Sequence, residues 1–207
     1  MAVTVVALPG FTRSPRHLER LAQAVNAAGL PCVRPSLAPR WLPVLYMSRP
    51  RLQRLAQRLV DAGVGSVVIA GHSAGAAAAG YLAVCLQRLG IEVRGLVLID
   101  GVDSPNHLLS TSLPLLGDVP VAAVLAPPSP CNRHGSLARM VRDYPQVDVA
   151  VIDGAGHGDI EGAGLNVYRR ACGDHSDVET ADRVLGTVVD RILEFAQHDP
   201  GRQDPGR

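Results

Sequence analysis

One segment constrains the fold of this chain more than any other. Residues 66–83 read SVVIAGHSAGAAAAGYLA, in which an apolar, β-branched run leads into Gly71-His72-Ser73-Ala74-Gly75 and then directly into an alanine-rich run. Gly-x-Ser-x-Gly between a buried strand and a helix indicates a sharp turn that holds its serine in strained backbone angles, with glycines where side chains would clash. The pattern therefore predicts that the Ser73 hydroxyl is raised above a sheet edge as a nucleophile.

Chance is the alternative explanation for this motif, because the chain contains 21 glycines and is rich in alanine. A five-residue pattern of small residues can arise in such a chain without any function. Chance does not account for the strand-like run before the serine or for the long helical run after it. We therefore interpret the motif as functional.

Bulk properties limit the classes of protein to which the chain can belong. Its 207 residues, 47% of them apolar, are enough for one domain with a buried core. The net charge of +1 argues against a nucleic-acid partner, and no segment is long and apolar enough for a membrane span. The first eight residues resemble a strand rather than a signal peptide, and there is no lysine for Schiff-base chemistry.

The cysteines give no sign of a metal site. Cys32, Cys85, Cys131 and Cys172 are scattered through the chain without a C-x-x-C pair. This spacing predicts reduced thiols in a cytoplasmic protein. Nothing in the sequence points to a bound metal or to a cofactor.

Strand-like and helix-like segments alternate along the chain, which indicates an α/β fold with a parallel sheet covered by helices. Besides the strand before Ser73, the predicted strands are residues 3–8, 31–35, 93–99, 119–125 and 147–152. The main predicted helices are residues 14–28, 51–62 and 179–197, with the helix after Ser73. We expect a single domain over residues 1–198 and a disordered tail over residues 199–207.

A nucleophilic serine needs a base to accept its proton and an anion to orient that base. In a parallel sheet these partners lie past the C-terminal ends of later strands, in the chain order serine, acid, histidine. His157 lies in DGAGHGD, directly after the last predicted strand, and the glycines leave the loop free to bring the imidazole to Ser73. His175, shortly before the last helix, is the alternative base.

The acid is predicted at the end of the strand that follows the serine helix. Many enzymes of this type carry it one strand later, but residues 126–133 contain no carboxylate. The run LVLID instead ends in Asp100, whose side chain can point toward the site, and Asp103 follows three residues later as the alternative. A carboxylate at such a place can also serve as a turn or helix cap. In the absence of a competitor, Asp100 is the predicted acid.

An acyl-transfer site also needs donors for the developing oxyanion. The N–H of Ala74, directly after the serine, is the first predicted donor. The second is predicted from Pro9-Gly10-Phe11, which follows the first strand, with Phe11 favoured and Gly10 as the alternative. Pro-Gly also occurs in plain turns, so the prediction depends on this strand lying beside the strand of Ser73.

With these residues in place, the chain resembles the α/β-hydrolases over nearly its whole length. The resemblance implies a three-layer fold with a mostly parallel sheet of about six strands, lacking the two leading strands that the family usually has. Ser73, Asp100 and His157 match its nucleophile, acid and base.

Within that superfamily, residues 71–76 and 94–100 look like the thioesterase domains of polyketide and non-ribosomal peptide synthases. In the polyketide group the catalytic aspartate ends this same strand, and here Asp100 follows Ser73 by the same spacing, 27 positions. Those thioesterases carry a long helical lid after the acid strand. Residues 101–118 leave room for only one short helix, over 106–115, so we expect a minimal lid and an open site, with residues 162–176 as a partial flap.

The predicted function is therefore that of a serine hydrolase acting on an acyl ester or thioester, with or without a carrier-protein partner. The alternatives are a lidless carboxylesterase without such a partner and a non-catalytic binding module with the same fold. The residues expected to contact the substrate share a position near the nucleophile or an apolar character; they are Gly10, His72, Trp41, Tyr46 and Leu108.

Overall fold

The computed structural model describes residues 2–37, 48–103, 107–161, 172 and 177–198. A six-stranded sheet with strand order β2-β1-β3-β4-β5-β6 forms its centre, and every strand pairs in parallel with its neighbours. The strands are β1 (Val3–Leu8), β2 (Cys32–Val33), β3 (Ser66–His72), β4 (Glu92–Ile99), β5 (Val121–Leu125) and β6 (Val147–Val151).

Six helices of the described chain cover the sheet. They are α1 (Glu19–Ala27), α2 (Arg49–Asp61), α3 (Ala74–Arg88), α4 (Leu108–Ser112), α5 (Ser136–Met140) and α6 (Val178–Gln197). Helix α2 shows why these segments are helical, because Leu52, Leu55 and Leu59 recur at helical spacing and are buried while the intervening polar residues face outward. Helix α6 begins where the Asp177 side chain accepts a hydrogen bond from the Thr180 N–H.

Two hydrophobic cores lie on the two faces of the sheet, and the alternation of side chains along each strand supplies both. In β1, Val6 and Leu8 pack with α2, α3 and α4, whereas Val5 and Ala7 pack with α1 and α6. Strands β3 and β4 divide their residues in the same way. Burial on both faces explains why these strands read as continuous apolar runs. The result is a three-layer α/β architecture.

The register of the sheet brings several chain reversals to one edge. Leu8 at the end of β1 is opposite Gly71 in β3, and His72 is opposite Ile99 at the end of β4. Further along, Leu125 at the end of β5 is opposite Val151 at the end of β6. The loops that follow β1, β3, β4 and β6 therefore all leave the sheet on the same side.

The predicted α/β architecture is confirmed, with two local differences. Strand β2 is only two residues long, and α5 lies in a stretch to which the sequence assigned no element. The predictions for Trp41, Tyr46, His175, the flap at 162–176 and the tail at 199–207 lie outside the described residues, except for Cys172 within the flap.

The short helix after the acid strand packs on the body of the domain. Helix α4 lies against α3, where a Cβ atom at Gly80 would be 2.8 Å from Cδ1 of Leu109. The absence of a side chain at Gly80 therefore allows the close approach of the two helices. None of the described helices is long and apolar enough to cross a membrane.

The cysteines depart from the prediction that all four are reduced. Cys131 and Cys172 form a disulfide between residues 41 positions apart, while Cys32 and Cys85 are free. The sequence could not indicate this pair, because the two cysteines lie 41 positions apart and meet only in the folded chain. The disulfide also removes the cysteine-based argument for a cytoplasmic location.

We expect the disulfide to contribute to stability. Closing a loop of this length lowers the entropy of the unfolded chain by an amount equivalent to about 4 kcal/mol. Urea unfolding of the Cys131→Ser/Cys172→Ser variant should therefore show a clear loss of stability. Cys32→Ser, at a partly buried free thiol, is the control, with an expected loss of about 1 kcal/mol or less. If dithiothreitol lowered the stability of the wild type and the double variant equally, the disulfide would not be the cause.

Candidate active site

Ser73 occupies a strained turn between β3 and α3. Its backbone angles are φ 55° and ψ −125°, a conformation that residues with a side chain rarely adopt. The flanking glycines are sterically required, since a Cβ atom at Gly71 would lie 2.4 Å from the carbonyl oxygen of Gly75, and one at Gly75 would lie 2.4 Å from that of Leu8. The Gly-x-Ser-x-Gly pattern is thus explained by backbone contacts on both sides of the serine.

The side chains of Asp100, His157 and Ser73 form one hydrogen-bonded chain. Nδ1 of His157 lies 2.6 Å from Oδ2 of Asp100, and Nε2 lies 3.0 Å from Oγ of Ser73. The carboxylate accepts from Nδ1–H, which leaves the lone pair of Nε2 to accept from the serine hydroxyl. The structure thus brings together the three residues predicted as nucleophile, base and acid, in a geometry suited to proton transfer from the serine.

Asp100 is buried at the end of β4 and is held by donors from the next strand and loop. Its Oδ1 accepts the N–H of Ala126 at 3.1 Å, and both carboxylate oxygens lie 3.2 Å from Nδ2 of Asn132. Its φ of 40° turns the chain sharply after the strand. These contacts satisfy a carboxylate that is only 6% exposed.

Asn132 is a component of the site that the sequence did not reveal. Its side chain has no exposed surface, and Oδ1 accepts the N–H groups of Ser129 and Gly135, both at 2.8 Å. Nδ2 also donates to the carbonyl of Pro127 at 2.9 Å. Asn132 therefore folds the loop after β5 around itself and presents the same amide to Asp100. Its location after β5, where many such enzymes carry their acid, was the available signal.

Asp103, the alternative acid, binds the start of α4. Its carboxylate accepts the N–H of Leu109 at 2.8 Å, together with the N–H and hydroxyl of Ser110 at 3.2 Å and 2.8 Å. These bonds satisfy donors at the start of α4, the role of a helix cap. The acid in contact with His157 is Asp100. The alternative base, His175, lies outside the described residues.

The loop that carries His157 is fixed by two further groups. The N–H of Gly156 donates to Oδ2 of Asp159 at 2.7 Å, which closes the loop on itself. The carbonyl of His157 accepts a hydrogen bond from Nε2 of His72 at 2.8 Å. The second bond ties the main chain of the predicted base to the residue next to Ser73.

His72 lies in a buried cluster of charges beneath Ser73. Its Nδ1 is 3.3 Å from Oε1 of Glu161, an ion-pair distance without the alignment of a hydrogen bond, and the same oxygen accepts from Nε of Arg13 at 3.0 Å. Burial alone lowers the pKa of His72. The contact with Glu161, the hydrogen bond to the His157 carbonyl and the charges of Glu161 and Asp100 outweigh burial and raise that pKa overall. Burial raises the pKa of Glu161, and the contacts with His72 and Arg13 outweigh this and lower it.

The first loop lies directly against the nucleophile. A Cβ atom at Gly10 would be only 3.1 Å from Cβ of Ser73. Ala74 is the first residue of α3, so its N–H has no acceptor within the helix. The Phe11 side chain is 48% exposed, an unusual position for one of the two phenylalanines of the chain. The segments predicted to supply the oxyanion donors therefore flank Ser73.

Two residues expected to contact substrate are buried. His72 is 2% exposed, and its ring nitrogens face protein groups. Leu108 has no exposed surface and belongs to the core between α3 and α4. The sequence does not distinguish an apolar residue that lines a pocket from one that fills a core.

Within the described residues, no group of His, Cys, Asp and Glu side chains has an arrangement that could hold a metal ion.

Solved structures share this architecture. The thioesterase RedJ, from the prodiginine pathway of Streptomyces coelicolor, superimposes with a TM-score of 0.63 at 16% identity, covering 91% of this chain and 89% of its own. An esterase of Pyrobaculum calidifontis gives a TM-score of 0.63 at 16% identity, with 96% and 78% covered. A carboxylesterase of Nitrososphaera gargenis gives 0.57 at 12% identity, with 88% and 92% covered. The chain has the α/β-hydrolase fold.

Sequence comparison adds nothing to this assignment. No protein-family model matches the chain. No curated protein matches it by sequence either. The assignment to the α/β-hydrolase fold therefore depends on the three-dimensional architecture, and the chemistry depends on the residues at the site.

The substitution Asn132→Asp tests whether the Asn132 amide stabilises the buried carboxylate of Asp100. The substitution keeps the shape but removes the donor and brings a second carboxylate against the first, so the free energy of unfolding should fall by about 2–3 kcal/mol. Ser136→Ala is a control in the same loop, where the hydroxyl donates only to the Asn132 carbonyl at 3.2 Å, and should cost about 1 kcal/mol or less. Chemical denaturation measures both, and equal losses would contradict a specific role for the Asn132 amide.

Proposed function

We propose that the protein is a serine hydrolase that cleaves an acyl ester or thioester through a covalent acyl-enzyme on Ser73. The observation that carries the proposal is the position of the His157 ring, 2.6 Å from Asp100 on one side and 3.0 Å from Ser73 on the other. A serine in an ordinary turn has no such base. The strained backbone at Ser73 supports the same conclusion, since strain of this kind persists where the surrounding structure enforces it.

The first half of the reaction forms the acyl-enzyme. Oγ of Ser73 bonds to the acyl carbon while its proton passes to Nε2 of His157, and Asp100 stabilises the resulting imidazolium. The N–H groups of Ala74 and Phe11 bind the oxyanion of the tetrahedral intermediate. Collapse of that intermediate breaks the bond from the acyl carbon to sulfur or oxygen, and His157 returns its proton to the departing thiol or alcohol.

Water completes the cycle in the second half. It gives a proton to His157 as its oxygen bonds to the acyl carbon. The bond from that carbon to Oγ of Ser73 then breaks, His157 returns the proton to Oγ, and the carboxylic acid leaves. Phe11 is exposed in the loop whose Gly10 lies against Ser73, and its side chain offers an apolar surface to the acyl group. The proposed substrate is a small-molecule acyl ester or thioester, and the likeness to RedJ, whose name includes thioesterase, favours the thioester. Presentation of that thioester on a carrier protein remains a prediction from the sequence.

A fluorophosphonate probe tests the nucleophile directly, because it reacts with serines activated by a neighbouring base. Wild-type protein should be labelled, Ser73→Ala should not, and Asp100→Asn should react about 10⁴-fold more slowly. Ser66→Ala, at the opposite end of β3 from the hydrogen-bonded chain, should label like the wild type. Labelling of Ser73→Ala at the wild-type rate, or none of the wild type, would leave a binding module as the better interpretation.

The leaving group is tested by comparing matched acyl p-nitrophenyl esters with acyl-N-acetylcysteamine thioesters. Because p-nitrophenolate is the better leaving group, each kcat/KM is divided by the rate constant for hydroxide hydrolysis of the same substrate. A thioesterase should show the higher normalised value on the thioester of the same acyl chain, since its site stabilises the transition state for loss of a thiol. A higher normalised value on the ester identifies a carboxylesterase. Lengthening the acyl chain should raise kcat/KM on the preferred series if Phe11 contacts it, and Phe11→Ala should remove that dependence.

A further inference from the structure

The surroundings of His72 determine the charge of its ring. Nε2 faces the main-chain carbonyl of His157 at 2.8 Å, and Nδ1 faces the carboxylate of Glu161 at 3.3 Å. A carbonyl and an ionised carboxylate are acceptors only, so each ring nitrogen needs a proton to make a favourable contact. The doubly protonated imidazolium meets both requirements. A neutral ring would turn a lone pair toward one of the two oxygens.

Glu161 is the compensating charge. Its carboxylate, with 7% of the side chain exposed, lies between His72 and Arg13, whose side chain is 16% exposed. Buried charges persist only when they are paired, and removal of one partner leaves the other uncompensated. The three residues therefore act as a unit, which joins the loop after β1, the turn before α3 and the loop after β6.

The loop after β6 needs such a restraint. His157 is flanked by glycines at 154, 156 and 158, which do little to limit its main chain. Asp100 contacts the ring of His157, the bond from Gly156 to Asp159 lies within the loop, and Arg183 binds the carbonyl of Asp153 at its start. The bond from His72 to the His157 carbonyl ties the main chain of the base itself to the turn that carries Ser73.

We propose that His72 and Glu161 form a buried ion pair that positions His157 against Ser73. His72 is a positioning residue: it touches neither the substrate nor the reacting atoms, and acts through the main chain of the base. The inference goes beyond the proposed function and depends on it, because a base is positioned only if Ser73 is the nucleophile. It replaces the expectation that His72 contacts substrate.

A pair of variants separates the hydrogen bond from the packing. His72→Gln retains a donor at about the position of Nε2, whereas His72→Leu fills the space without one. Misplacement of a base by about 1 Å costs about 10²-fold in rate, so the maximal rate of fluorophosphonate labelling should fall about 10²-fold in His72→Leu and at least tenfold less in His72→Gln. The concentration for half-maximal rate should change less than threefold in both, because probe binding is not affected.

Two controls separate this proposal from the function on which it rests. Ser73-dependent labelling of the wild type establishes the nucleophile first, and fails only if the proposed function fails. His198→Leu removes an exposed histidine at the end of α6 and should label at the wild-type rate. Equal rates for His72→Leu and wild type, or equal losses in His72→Leu and His72→Gln, would overturn the positioning role while leaving Ser73 as the nucleophile.

An ion pair between His72 and Glu161 predicts that substitutions of the two residues have non-additive effects on the labelling rate. Glu161→Gln should lower the labelling rate at least tenfold, because the end of the loop after β6 loses its ionic contacts with both His72 and Arg13, whereas His72→Gln keeps the contact with Arg13. If the two residues act as a unit, the double variant His72→Leu/Glu161→Gln should be no slower than His72→Leu alone within about threefold. Rates that multiply across the two substitutions would show independent effects and would overturn the pair.

A measurement on the wild type decides the charge without any variant that could fail to fold. Nitrogen-15 NMR of the histidine side chains distinguishes an imidazolium, in which both nitrogens carry a proton, from the two neutral tautomers. The His72 signals, assigned by their absence from His72→Gln, should show the imidazolium pattern at pH 7.5, where an exposed histidine is neutral. A neutral pattern for His72 at that pH would overturn the ion pair.

Discussion

The parallel pairing of β1, β3 and β4 is the constraint on which the rest of the site depends. With Leu8 opposite Gly71 and His72 opposite Ile99, the chain leaves all three strands at the same level and on the same edge. The approach is close enough that only glycines fit at positions 71 and 75. A shift of one residue in either register would turn every side chain of a strand to the opposite face and separate Ser73 from Asp100.

Two buried carboxylates, each with its own hydrogen-bond donors, are the second constraint on the site. Asp100 and Glu161 are both largely excluded from solvent, and each is matched by donors from a different part of the chain. Asn132 serves the first, while His72 and Arg13 serve the second. Such networks lose stability quickly when one member is removed, but they hold side chains in one geometry. Here both networks meet at His157, one at the ring and one at the main chain.

Much of this organisation was accessible from local patterns. The strands, the main helices, the turn at Ser73 and the pairing of Asp100 with His157 follow from apolar runs, glycines and strand ends. Asn132 and Glu161 were not found in this way, since their roles come from contacts with Asp100 and His72, which lie far from them along the chain. Leu108 shows the opposite error: an apolar residue near a predicted site was assigned to substrate, but the packing of α4 on α3 buries it.

The sequence by itself determined the strand–turn–helix around Ser73, because strand formation, turn strain and helix start all depend on residues within a few positions of one another. It also determined the alternating α/β order, since hydrophobic periodicity is local. Only the tertiary structure decided which charges are buried together, that Cys131 meets Cys172, and that the His72 ring nitrogens face Glu161 and the His157 carbonyl. These are contacts between residues 41 or more positions apart, and local propensity carries no information about such distances.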